Sequence, residues 1–437
     1  MDTKKLRQKI LDLAIRGKLV PQDPNDEPAS VLLERIRAEK EQLIKEGKIK
    51  RSKKSAATDK SHYENVPFEI PKSWCWTTLG EVFTLQAGKN ITAKGISDKQ
   101  DTTYPFPCYG GNGLRGYVSS YNRTGRFPLI GRQGALCGNI NVADGLFYAT
   151  EHAVVVESYC NIDVDWAVYA LIYLNLNQYA TSTAQPGLSV ATINEVLLPV
   201  PPIEEQKRIA NEIEKWFDLI KEIESGKVEL KSYIKQTKSK ILDLAISGKL
   251  VPQDPNDEPT IELLKRINLD FQTCDNSHYG NLPESWEEIA MGEICKLYDG
   301  EKVSGPSLTY IDVKYLRGSK VGEFITSGKY VPQGSTLILV DGENSGEVFT
   351  TQIDGYQGST FKILSITEYL DKEYVLLLIK RSQKLLRENK VGSAIPHLNK
   401  KMFKELIVPV PPLAEQKRIV ATVNMLFCKL DMITAEL

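Results

Sequence analysis

Lys9–Pro28 reads KILDLAIRGKLVPQDPNDEP and Lys240–Pro259 reads KILDLAISGKLVPQDPNDEP; nineteen of the twenty positions are identical, and only Arg16 against Ser247 differs. A second block recurs: Pro199–Ile209 reads PVPPIEEQKRI and Pro409–Ile419 reads PVPPLAEQKRI. An internal repeat constrains architecture before any other signal does. The middle of the chain holds both blocks joined by one stretch, and the termini hold them apart, one at each end. The N-terminal block lies 231 positions before its partner and the C-terminal block 210 positions after, so Met1 matches Ser232, Leu437 matches Lys227, and only Val228–Lys231 lack a counterpart. The chain therefore reads as a near-circular duplication with a pseudo-two-fold, one helical arm intact in the middle and a second assembled from the two ends.

The arm carries a heptad signature. Ile209, Ile213, Trp216, Ile220, Ile223, Lys227, Leu230, Ile234, Thr237, Ile241 and Leu244 follow a 4-3 spacing. Ile419, Val423, Leu426, Leu430, Ile433 and Leu437 hold the same phase, and Leu6, Ile10 and Leu13 continue it from the N-terminus. An apolar period of 3.5 residues sustained this far predicts coiled-coil pairing. Pro201 and Pro202 fit a helix start, Glu204 and Glu205 suit its first turn, and Gly248 with Pro252 reads as a stop. About 45 residues at about 1.5 Å each predict a helix on the order of 65 Å long. Ser225-Gly226 is the weak point, since an interior glycine costs about 1 kcal/mol against alanine.

A chain of 437 residues has ample core for two or three domains. Its net charge of −1 sets up no global field for nucleic acid. Seven scattered cysteines without a Cys-x-x-Cys pair predict reduced thiols and a cytoplasmic setting. No apolar run approaches a membrane span, and the start MDTKKLRQKI has no signal-peptide core.

Two segments of nearly equal length lie between the arms. One opens with Pro71-Lys-Ser-Trp74 and Leu79-Gly-Glu81, the other with Pro283-Glu-Ser-Trp286 and Met291-Gly-Glu293, and beyond these borders they share little. Short β-type runs broken by Gly and Pro predict strands at Phe127–Ile130, Phe147–Glu157 and Thr336–Val340, with helices at Asp165–Ala180 and Asp371–Asn389. Divergent modules on a duplicated frame point to two different targets. In the first module Gly88–Gly134 holds seven Lys/Arg against two acids, interleaved with aromatics. Asn112, Arg115, Arg123, Arg126, Arg132 and Gln133 sit on or beside its glycine-rich loops, and Arg and Gln are residues that read guanine and adenine edges bidentately. Lys314, Arg317, Lys320 and Asn344 are the corresponding candidates in the second module. Lys50, Arg51, Lys53 and Lys54, in the extra stretch Glu39–Lys60, are candidates for phosphate contacts.

The paired P-x-P-P-[IL]-x-E-Q-K-R-I blocks, the paired GKLVPQDPNDEP blocks and the two P-x-S-W…[LM]-G-E openings resemble the specificity subunit of Type I restriction–modification systems, over essentially the whole chain. The resemblance implies an α+β fold in which two α/β target-recognition domains are separated by two long antiparallel coiled-coil arms, a circularly permuted repeat. On this frame residues 1–38 complete the second arm, 39–60 form a basic linker, 61–200 the first recognition domain, 201–272 the central arm, 273–409 the second recognition domain and 410–437 the C-terminal helix. Each domain is then expected to read half of a bipartite site in double-stranded DNA. Two methyltransferase subunits and restriction–translocase subunits are the expected partners, with no membrane. The expected complex acts as adenine methyltransferase and endonuclease, and S-adenosylmethionine, ATP and Mg²⁺ belong to the partner subunits.

The chain itself reads as non-catalytic. It has no Asn/Asp-Pro-Pro-Tyr motif, none of its Gly-Lys pairs precedes Ser or Thr, and its four histidines lack metal spacing. Glu205-x-Lys207 and Glu415-x-Lys417 imitate half of a nuclease motif but fall on the expected helix starts. The alternative is a coiled-coil protein-binding adaptor that kept the frame and lost DNA recognition.

Overall fold

The computed structural model describes residues 2–49, 66–134, 136–181, 186–268, 279–280, 282–391 and 396–437. The chain divides into two compact units, Met1–Gly226 and Lys227–Leu437. The central helix, Ile203–Ile246, is continuous over 44 residues and contributes to both. It passes through Ser225-Gly226 without a break. The expected run of about 45 residues agrees with these 44.

In the first unit the N-terminal helix Thr3–Ile15 packs with the first half of the central helix. Ile10, Leu11, Ala14 and Ile15 share a core with Ile209, Ile213 and Ile220, and Arg7 reaches Glu224 at 2.9 Å. In the second unit the second half of the central helix packs with the C-terminal helix Leu413–Glu436. There Ile241, Leu242, Ala245 and Ile246 meet Ile419, Val423 and Phe427. The expected heptad seam is buried only in part. The apolar seam is buried at Ile209, Ile213, Ile220, Ile234 and Ile241 but open at Trp216, Ile223 and Leu230. Leu13 and Leu244 are only partly buried. The packed faces run i, i+1, i+4, i+5, which is the wide stripe of a helix resting on a globular core rather than a narrow a/d seam.

Each module carries the same two sheets, although their sequences have diverged. The first sheet has the strand order 84–87, 153–157, 127–131, 140–143 in one unit and 295–298, 361–366, 336–339, 348–350 in the other, antiparallel throughout. The second is built on a hairpin, Phe106–Gly110 with Gly113–Val118 in the first unit and Lys302–Ile311 with Glu323–Val331 in the second. A parallel strand joins it in both cases, Leu146–Ala149 and Gly355–Gln357; in the first unit Arg123–Thr124 adds a fourth strand, whereas in the second Tyr330 and Val331 pair with Tyr356 and Gly355 and close a barrel. The expected single strand over 147–157 is therefore two strands. The turn at Thr150–His152 moves the chain from one sheet to the other, as strands at a sheet corner do. The expected helix over 165–180 is Val164–Leu174, ended by Asn175 in the left-handed conformation (φ 43°) and followed by a short 3₁₀ turn. The later helix, Lys372–Glu388, is capped by Asp371.

The repeated blocks are held identical by each other. Glu205 and Glu415, 1% exposed each, accept the indole N–H of Trp74 (2.9 Å) and Trp286 (3.0 Å) and the amide of Gln22 and Gln253 (both 2.6 Å). Arg208 grips Asp26 through two nitrogens, and Arg418 grips Asp257 the same way. Gln206 and Gln416 accept the N–H of Asp163 and Asp371, the caps of the late helices. Gly17 (φ 64°) and Gly248 (φ 69°) complete the fit, since a Cβ at either would lie 2.4 Å from Cγ of Pro71 or Pro283. The P-P-x-x-E-Q-K-R and G-K-L-V-P-Q-D-P-N-D-E-P segments thus interlock within each unit, and a change in one block would strand a partner in the other.

The single mismatch has a physical account. Asp12 is held by Arg16 (2.7 Å) and by the Tyr173 hydroxyl (3.2 Å). Ser247 cannot reach its own Asp243, and Arg381, standing where Tyr173 stands in the first unit, pairs with it instead.

Candidate nucleic-acid interface

In the first unit the two glycine-rich loops singled out in the sequence are packed backbone to backbone. A Cβ on Gly131 would lie 1.9 Å from the Gly111 carbonyl, and one on Gly111 would lie 3.3 Å from the Gln133 carbonyl and 3.2 Å from that of His152. Only glycine permits this approach, and it gathers Asn112, Arg115, Arg132 and Gln133 at one end of the module. Asn112, Arg115 and Gln133 are exposed, and Leu114 beside Arg115 is exposed as well. Arg115 engages no carboxylate among the described residues.

Four buried polar atoms without a partner lie in or beside this cluster: Arg132 Nε, Asn141 Nδ2, Glu151 Oε2 and His152 Nδ1. Asn141 joins it because its Oδ1 lies 2.8 Å from where a Gly113 Cβ would be. Native interiors satisfy nearly all such atoms, so several together single these loops out as the candidate site. Asn141, Glu151 and His152 were not legible in the sequence. His152 has no metal-ligand spacing in the sequence, and the sheet-to-sheet turn at Thr150–His152 brings it to the loops.

The other first-unit candidates are held by the protein. Arg123 donates to Gln86 (2.5 Å) and to the Asn122 carbonyl, with Glu157 at 3.7 Å. Arg126 makes a two-pronged pair with Asp165 at 2.8 and 2.5 Å. Lys50, Arg51, Lys53 and Lys54 lie outside the described residues.

In the second unit the equivalent hairpin is longer. Its tip holds a short helix, Val313–Leu316, with Lys314, Arg317 and Lys320 exposed around it. Arg317 pairs with Glu347, which ties the tip to the loop Asp341–Gly346, and Lys320 pairs with Glu323 at 3.0 Å. Asn344 accepts the Glu347 N–H through its backbone carbonyl. Hairpin turn and glycine loop meet in both units. A further correspondence links the units: Ala184-x-Pro-x-Leu188 recurs as Ala394-x-Pro-x-Leu398. Pro186 and Pro396 accept the N–H of Gly134 and Gly342, so each glycine loop is braced the same way. At the brace Gln133 bridges Gly187 in one unit, whereas Asp341 bridges His397 in the other, with a 2.6 Å hydrogen bond between the side chains.

Asp299 directly follows the strand 295–298 of the first sheet. Burial opposes its charge, but hydrogen bonds from Lys362, Lys329 and Gln357 hold its carboxyl well below the usual range. Lys329 is thereby committed to the fold. No cluster of metal-ligating side chains occurs among the described residues, and no helix there is long and apolar enough to cross a membrane.

Comparison with known proteins bears on this arrangement. The chain is 26% identical to the Type I restriction enzyme EcoAI specificity subunit of Escherichia coli, over 97% of this chain and 88% of that one. It is 49% identical to the EcoprrI specificity subunit of the same organism, over 33% of this chain and 36% of the relative. Among solved structures, a chain from a study of complex assembly and conformational transition in the Type I system matches with TM-score 0.61 at 17% identity, covering 85% of this chain and 94% of that one. The HsdS subunit of Thermoanaerobacter tengcongensis matches with TM-score 0.50 at 16% identity, covering 85% and 93%. The family model for the Type I restriction modification DNA specificity domain matches residues 71–231 and 283–436, most of both units, and the chain belongs to that family.

Proposed function

We propose that this chain is the sequence-specific DNA-recognition subunit of a Type I restriction–modification complex, each unit reading one half of a bipartite site in double-stranded DNA. The observation that carries the reading is the contrast within the duplication. Frame, the order of the first sheet and interlock are the same in both units, while the braced loops at corresponding ends present different polar side chains. One reader fold used twice with different fingertips is what two different half-sites require. Arg115, Arg132, Gln133 and Asn112, with Asn141 and His152 behind them, read the first half-site. Lys314, Arg317 and Asn344 serve the second, where Arg317 exchanges Glu347 for a base edge. Lys50, Arg51, Lys53 and Lys54 hold phosphates.

The helices set the spacer. The shared apolar phase supports an arrangement in which the N-terminal and C-terminal helices run end to end along the central helix, closing a pseudo-two-fold. Two near-identical surfaces so related suit two copies of one methyltransferase subunit. Restriction–translocase subunits complete the assembly. Chemistry on adenine and on the duplex, with S-adenosylmethionine, ATP and Mg²⁺, resides in those partners, and the setting is the cytoplasm.

The test is to express the chain with its methyltransferase partner in a host free of adenine methylation and map the modified bases. A bipartite motif with two fixed half-sites and an unread spacer is expected. Methylation without sequence preference, or a continuous motif, would overturn the reading.

A further inference from the structure

We propose that the hairpin tip of the second unit is an apolar wedge that enters the base stack of duplex DNA, a role that rests on the DNA-recognition reading above. Val321 is 90% exposed and Phe324 69% exposed, among the most exposed apolar side chains of the chain. Such exposure is ordinary on a loose loop. Here the backbone beneath is tightly built. Asp312 caps the short helix by accepting the Tyr315 N–H at 2.7 Å. The Lys314 carbonyl accepts both the backbone and the hydroxyl of Ser319, at 2.9 and 3.0 Å. Gly322 passes so close to Thr309 that a Cβ would lie 2.6 Å from its methyl group. Val313, Tyr315 and Leu316 anchor the inner face on the core that the two sheets share. The fold thus holds the tip rigid while leaving Val321 and Phe324 in water, an arrangement that costs solvation and gains nothing in the isolated chain.

The surroundings select the occupant. Lys314, Arg317 and Lys320 flank the two apolar side chains, and Arg317 ties the tip to the glycine loop of the same reading end. On DNA, Arg317 and Lys320 exchange Glu347 and Glu323 for phosphates, and apolar side chains beside three such cations match a base-pair step between two phosphate strands. Proteins that push Phe or a similar side chain between base pairs partly unstack them and kink the duplex. The topologically equivalent turn of the first unit is only Gly111-Asn112; Leu114 is exposed at the place of Phe324 there, but no counterpart of the helix-bearing tip with Val321 projects beside it, so the wedge belongs to the second half-site or its flank.

The experiment uses the full chain with its methyltransferase partner on duplexes bearing the mapped site, with 2-aminopurine placed in turn at each step. The wild-type complex should brighten one step in the second half-site. Replacing Val321 and Phe324 together by serine should abolish that signal and weaken binding to the paired duplex about tenfold, while a mismatch at the same step restores binding to within about twofold. Preference at the first half-site should stay as in the wild type. Specific binding with no step unstacked would overturn the wedge and leave DNA recognition standing. Loss of methyltransferase assembly with unstacking intact would also overturn it and make the tip a protein contact. No specific binding by the wild-type complex would remove both readings together.

Discussion

Glu205→Ala removes the keystone of the first unit's interlock. The carboxylate is 1% exposed and accepts Trp74 Nε1 at 2.9 Å and Gln22 Nε2 at 2.6 Å, with Arg208 nearby. Alanine leaves the buried indole N–H without an acceptor, a loss of about 1–3 kcal/mol. The Gln22 amide lies nearer solvent and recovers water, so its loss adds at most about 1 kcal/mol. The expected destabilisation is therefore about 3 kcal/mol, a fall in melting temperature of about 6–12 °C for a unit of this size. Glu205→Gln keeps an acceptor for the indole and should cost about 1 kcal/mol. The pH dependence gives a second handle. Burial raises the Glu205 carboxyl, with the Trp74 and Gln22 hydrogen bonds working in the opposite direction. The folded state then holds this proton more tightly than the unfolded chain. The stability linked to Glu205 is present below the unfolded carboxyl value and is lost as pH rises through the raised folded one. Glu205→Gln should abolish that component. Urea unfolding of wild type and both variants across acid to neutral pH, followed by tryptophan fluorescence, is the assay. If the alanine and glutamine variants were equally stable, or alanine cost under about 0.5 kcal/mol, the hydrogen-bonded keystone would be refuted.

Four further outcomes are expected. Arg381→Ala should cost at most about 1 kcal/mol in the second unit, as a partly exposed pair does, and adding Ser247→Arg should recover it by recreating the Arg16–Asp12 geometry; a double variant no better than the single would show that Arg381 is not a substitute. Arg132→Ala and His152→Ala should each relax base preference within the first half-site by about 1–3 kcal/mol, whereas Arg126→Ala, which only breaks the pair with Asp165, should leave base preference unchanged in binding to single-base site variants. Lys40 donates to the carbonyls of Gly80, Glu81 and Phe83, and burial pushes its ammonium down to about 8; since the unfolded lysine titrates near about 10.4, wild-type stability should gain on Lys40→Met as pH rises through that window, and parallel curves in denaturant titrations would show the shift to be absent. Deleting one heptad within Lys227–Ile234 shortens the helix by about 10 Å and should shorten the spacer by about three base pairs with both half-sites kept, so a mapped motif with an unchanged spacer would sink the ruler.

The duplication, the long central helix and the family were legible in residue order alone. Blocks nineteen positions in twenty alike must fold alike, and helix starts and stops are local chemistry carried by Pro201, Pro202 and Gly248. The candidate loops were legible as composition, since Gly111 and Gly131 announce close backbone approach. What they approach was not, because a sequence does not say which loops meet. Only tertiary structure packed the two glycine loops together, drew Asn141, Glu151 and His152 into the cluster, and committed Arg123 and Arg126 to acceptors far along the chain. It also decided the seam. The 3.5-residue period of the apolar positions is a property of the helix, but Trp216, Ile223 and Leu230 stay open because burial depends on what the rest of the chain lays against each turn. The identity of the repeats lies on both sides of this line: the letters are visible in the sequence, while the reason for them, Trp74 on Glu205 and Asp26 on Arg208, exists only once residues more than a hundred positions apart are brought into contact.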